Sequence, residues 1–149
     1  MRTSVQVFKD RLNGSESHDC GVIVMAVNTT ARADYELNFM VKRFGSNATV
    51  KQLQGCWEGK QEVSYAIIPF PGQERVVGDI AREIADEHKQ DSILCLSPSN
   101  RNNGHRVAWL FWMKQRRSQV VGVWQAVPAA EAVQAQGWTR DGGTFYVVK

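Results

Sequence analysis

The chain has 149 residues, 43% hydrophobic and 22% charged, with a formal net charge of +3. That length buries a core without disulfide or metal staples, so a single domain over 1–149 is expected, with 1–20 as a short peripheral extension. The composition excludes disorder as the overall state, and the mild charge gives no argument for a nucleic-acid partner.

Val22 to Val27 is a continuous apolar run between Gly21 and Asn28 and predicts a strand buried on both faces. Thr29 and Thr30 follow as N-cap candidates. Leu37, Met40, Val41 and Phe44 then recur at helical spacing, and Gly45 stops the helix. Two strands rich in Thr, Val, Tyr and Ile are predicted over 49–57 and 62–69, after which "PFPG" (69–72) breaks the chain. A second helix reads from Gln73 to Lys89. Val76, Ile80 and Ile84 form its ridge, Val77, Ala81 and Ala85 lie beside it, and Gly78 costs it up to about 1 kcal/mol relative to Ala. "DSILCLS" (91–97) predicts a fourth strand. A polar loop (97–106) leads to three more, over 107–112, 119–127 and 144–148.

The order β-α-β-β-α-β predicts an α+β fold, a ferredoxin-like core with additional C-terminal antiparallel strands. Two helices would cover one face of that sheet and leave the other open. Trp109, Trp112, Trp124 and Trp138, with Phe111 and Phe145, stand in the region that can cover it, mostly as core. So much apolar surface in a small chain also predicts burial against other subunits.

Cys20, Cys56 and Cys95 form no C-x-x-C and leave one thiol over in any pairing, which fits a reducing cytoplasm. Cys95, inside "ILCL", reads as a small buried hydrophobe. His18, His88 and His105 lack the short spacings of zinc sites, so no metal is expected. No apolar run approaches the roughly 20 residues of a membrane span, and the N-terminus lacks a signal-type stretch. "KQRR" (114–117) reads as a solvated turn.

Hydrolase, nucleotide-binding and metalloprotease motifs are absent, and Cys56 has no local nucleophile signature. An RNA-recognition sheet stacks bases on aromatics of its first and third strands. Here the first, "VIVMAV", has none and the third lacks the glycine-and-aromatic signature. The hairpin "LQGCWEGKQEVSYAIIPF" (53–70) survives this elimination. Trp57 beside Glu58 and Glu62 puts a π-face next to carboxylates, which is what binds a small organic cation. The alternative is a packing tryptophan with two solvated glutamates.

Three segments carry a resemblance. "LQGCWEG" (53–59), "EHKQDSILCLS" (87–97) and "VGVWQAVP" (121–128) are similar, in order and spacing, to segments of the phage S-adenosylmethionine-degrading enzymes, lyases formerly called hydrolases. The matching residues are Leu53, Gly55, Cys56 and Trp57; Gln90 and Asp91; and Gly122, Trp124, Gln125, Val127 and Pro128. The resemblance runs from about Val22 to the C-terminus. It departs where the family usually has Tyr in place of Trp57 and often a longer hairpin loop.

The resemblance implies an enzyme acting on S-adenosylmethionine without cofactor or metal, in a homotrimer like those of the PII proteins with substrate between subunits. It implies release of 5′-methylthioadenosine and homoserine lactone as a phage anti-restriction activity in the host cytoplasm. Glu62 takes the catalytic position, with Glu58 as fallback. Trp57, Cys56, Glu58 and Ser97 are substrate-binding candidates, and Ser97 would act through the 97–106 loop toward the nucleoside, although a plain surface turn reads equally well there. Gln90 and Asp91 are expected to be structural, Asp91 fixing the helix-to-strand turn. A hydrolase giving homoserine, and a non-enzymatic PII-like nucleotide-binding trimer, remain the alternatives.

Overall fold

The structure, a computed structural model, describes residues 21–27, 33–98 and 106–149. The 1–20 extension, the Thr29 and Thr30 caps, Cys20, His18, His105 and most of the 97–106 loop lie outside the described residues. The elements are β1 (Val22–Ala26), α1 (Ala33–Phe44), β2 (Ala48–Trp57), β3 (Lys60–Pro69), α2 (Glu74–Glu87), β4 (Ser92–Leu96), β5 (Arg106–Trp112), β6 (Arg117–Val127), α3 (Ala129–Ala132), β7 (Gly137–Asp141) and β8 (Thr144–Val148).

All strand pairs are antiparallel, and the sheet closes into an eight-stranded barrel ordered β1-β3-β2-β7-β8-β6-β5-β4, with β4 returning to β1. The second face of the sheet is therefore not open, as the sequence suggested; it lines the barrel. Alternation along each strand divides the core in two. Met25, Tyr65, Ile67 and Ile93 face outward under Met40 and Phe44 of α1 and Val77, Ala81, Ile84 and Ala85 of α2. Val22, Val24, Leu53, Ala66, Ile68, Leu96, Ala108, Trp124 and Tyr146 fill the interior. Trp124 stacks on Tyr146 with centroids 4.9 Å apart and planes at 12°. Trp109, Trp112, Trp138 and Phe145 stay half-buried, while Phe111 packs against the helix-side core.

Both helices bury a stripe turned by about one residue from the predicted one. On α1, Met40 and Phe44 are fully buried but Val41 is exposed. The place predicted for Val41 goes to Glu36, whose carboxylate accepts the Tyr65 hydroxyl at 2.8 Å while Gln52 donates to the same hydroxyl. A carboxylate enters the core only with such partners. Burial and Glu36 hold the Tyr65 phenol well above its ordinary range. On α2, Val77 and Ala81 are buried and Val76 is exposed. Arg43 bridges the two helices outside, 3.4 Å from Glu83 and 2.9 Å from Glu87.

Among the described residues four strands follow β4, one more than the sequence predicted. The addition is β7, "GWTRD", which is short and polar and shows no apolar alternation. The "KQRR" segment is exposed and forms the β5–β6 turn up to Arg116, with Arg117 opening β6; Arg116 pairs with Asp86 at 2.7 Å.

Cys95 packs against the helix-side core, and burial pushes its thiol from 9.0 up to about 11. The thiol is raised in the folded state, so its contribution is whole below pH 9 and is lost as pH rises through 11. The rise from 9.0 to about 11 corresponds to ~3 kcal/mol. Denaturant titrations from pH 8 to 11 should show a steeper alkaline loss of stability in the wild type than in Cys95→Ala. Identical slopes would show that the thiol ionises freely in the fold.

Candidate functional site in the β2–β3 hairpin

Trp57 pairs with Lys60, so Glu58 and Gly59 form a two-residue hairpin turn. Both have positive φ, +50 and +83, the conformation that matches strand twist and favours Asn-Gly or Gly-Gly. Glu58 is thus a strained non-glycine residue. Two contacts hold it: its amide donates to the Gln136 carbonyl at 2.8 Å, and its carboxylate accepts from Gln136 Nε2 at 3.1 Å.

Below the turn, Gly55 faces Glu62 across the ladder. A Cβ on Gly55 would lie 2.9 Å from Ser64 Oγ and 3.5 Å from Glu62 Cγ, so the missing side chain leaves room for both. Glu62, Ser64, Gly55 and Trp57 therefore share the face that continues into the barrel interior. Glu62 and Trp57 stand diagonally across the pair, with backbones about 7–8 Å apart. Glu62 is solvent-exposed and Trp57 is 54% exposed. A carboxylate and an accessible indole on one surface are the groups that could hold a cationic ligand. The residues that complete this wall come from β7. Trp57 pairs with Gly137, and a Cβ there would sit 2.6 Å from Trp57 Cε3.

The profile of the S-Adenosylmethionine lyase family matches residues 22–149. The chain belongs to this family. It is an S-adenosylmethionine lyase by that membership. A search of curated proteins finds no match. The family's substrate carries a sulfonium and an ammonium, which suits a wall of indole and carboxylate.

The other residues singled out in this lyase are distributed unevenly. Cys56 is half-buried, and alternation turns it to the face away from Trp57 and Glu62, where it pairs with Gln61 and Trp138. Ser97 lies past the end of β4. Its hydroxyl donates to the Pro98 carbonyl at 3.1 Å and accepts the Val107 amide at 3.0 Å, closing the β4–β5 connection. The pairings Val22 with Leu96 and Ile23 with Ile67 put Ser97 at the Pro69 end of the sheet. Glu62 is about seven strand residues away, on the order of 20 Å. The fold of the chain does not bring these two residues together.

The Gln90 amide closes the end of α2 on the Ala85 carbonyl, and the Asp91 carbonyl accepts from Met113. The backbone of Asp91 therefore does the fixing that the sequence assigned to this residue. In the third motif, Trp124 is interior and the Pro128 carbonyl accepts the Glu131 and Ala132 amides of α3. Among the described residues no group of three His, Cys, Asp or Glu could hold a metal, and no helix is long and apolar enough to cross a membrane. Gln136 and Gly137 were missed because β7, which Gly137 begins and Gln136 precedes, was missed. The sequence signal was "AQGWT", a glycine before an aromatic in a polar run.

Proposed function

We propose that this lyase cleaves S-adenosylmethionine to 5′-methylthioadenosine and homoserine lactone, with Glu62 as the residue that positions the substrate. The observation that carries the reading is the single surface shared by Glu62, Gly55 and Trp57 at the mouth of the hairpin. A substrate carboxylate oxygen forms a bond to its own γ-carbon. The carbon–sulfur bond breaks, and sulfur keeps the electron pair as the neutral thioether of methylthioadenosine. No proton is needed by either partner. The enzyme folds the methionyl chain into an attacking conformation and excludes water, a positioning effect worth several kcal/mol.

Charge on sulfur disappears as the bond breaks, so a carboxylate tight against sulfur would favour the ground state. Glu62 instead holds the ammonium and leaves the substrate carboxylate free to turn inward. Trp57 offers its indole face to the methionyl and sulfonium region.

The β4-β1-β3-β2 order, with α1 and α2 on its outer face, supports reading the first half as a ferredoxin-like core. With Ser97 and Glu62 taken as parts of one substrate site, their separation within one chain supports a homotrimer in which one protomer's hairpin meets Ser97 of a neighbour. In a phage-infected cell the reaction would deprive restriction and methylation enzymes of S-adenosylmethionine in the host cytoplasm. Proton NMR of the protein with S-adenosylmethionine should show homoserine lactone beside methylthioadenosine at the earliest times. Substrate recovered unchanged would return the protein to the class of nucleotide-binding trimers.

A further inference from the structure

We infer that Gly137, at the start of β7, is a specificity-determining positioning residue: it is the seat on which the Trp57 indole lies, and it sets substrate affinity through that ring. The inference rests on the proposed role of Trp57 as a wall of the substrate site. A Cβ on Gly137 would fall 2.6 Å from Trp57 Cε3 and 3.0 Å from Cζ3, so any side chain there must push the ring off its seat.

The seat cannot retreat. Trp138, the next residue, pairs with Cys56 and packs edge-on against Phe145 at 5.1 Å. Arg140 bonds Gln54 and lies over the same Phe145 ring at 5.6 Å. On the other side, Gln136 holds both the backbone and the side chain of Glu58. The indole therefore has a fixed floor on β7 and a fixed turn above it. Its 54% exposure leaves the ring within reach of a ligand.

The test uses full-length protein labelled with 5-fluorotryptophan, the Trp57 resonance being the one missing in Trp57→Phe. In Gly137→Ala this resonance should move without ligand, and KM for S-adenosylmethionine should rise about tenfold, the scale of a desolvated cation–π contact, with kcat within about threefold. In a Trp57→Ala background the same substitution should leave KM unchanged, because the ring it displaces is gone. An unmoved resonance would overturn the inference. So would a resonance that moves with KM unchanged, or a KM effect that persists without the indole. Should Gly137→Ala fail to fold, the double variant is expected to fold, and an equally unfolded double variant would refute the seat. Absence of turnover in the wild type is a separate result. It would remove the lyase reading itself, and this inference with it.

Discussion

Glu62→Gln is expected to lower kcat/KM for S-adenosylmethionine by roughly 10- to 100-fold, while Glu58→Gln stays within about threefold. The first figure is the loss of one charge-assisted hydrogen bond, ~1.5–3 kcal/mol. Part of it should fall on kcat, because an ammonium no longer held lets the methionyl chain leave its attacking conformation. The contrast follows from geometry. Glu62 lies over the side-chain-free Gly55 on the surface it shares with Trp57. Glu58 is at the turn, and its carboxylate is occupied by Gln136. Steady-state assays of methylthioadenosine release would check both variants. Equal, small effects would take the ammonium away from Glu62, and a larger loss in Glu58→Gln would exchange the two roles.

Gly122→Ala is expected to destabilise the fold by ~3 kcal/mol or more. Gly122 has φ +146, and a Cβ there would lie 2.4 Å from the Lys149 carbonyl oxygen and 2.7 Å from its carbon. That backbone cannot yield, since the amide and carbonyl of Lys149 bond the carbonyl and amide of Val123 at 2.9 and 2.7 Å. Without the close approach β6 and β8 part, and the Trp124–Tyr146 stack inside the barrel loses its frame. Urea denaturation would measure the effect. A loss below about 1 kcal/mol would mean that the C-terminus shifts freely and is no part of the barrel's closure.

This second case shows what the sequence could and could not convey. "VGVWQAVP" was conspicuous as a motif, yet its glycine, tryptophan and proline serve barrel closure and the start of α3. Local patterns gave the main elements through β4 because period and punctuation are short-range properties. The α1 stripe shifted by about one residue because Glu36 finds the Tyr65 hydroxyl 29 residues away, and no helical period contains that partner. Barrel closure stayed hidden for the same reason. It depends on β7, a strand whose residues are polar and whose evidence is the pairing itself. The hairpin wall was half legible: Trp57 and Glu62 announce themselves by type, but their floor, Gly55 and Gly137, is defined by absent side chains.

The most direct test of the proposed reaction is turnover in ¹⁸O-labelled water, with the homoserine that finally accumulates analysed by mass spectrometry for the position of the label. Intramolecular attack makes the γ-oxygen from the substrate's own carboxylate. Later opening of the lactone by water at its acyl carbon then places ¹⁸O in the carboxylate and leaves the hydroxyl unlabelled. That is the result expected here. Label in the γ-hydroxyl would mean that water attacked the γ-carbon directly, and Glu62 would then have to be understood as a base acting on water.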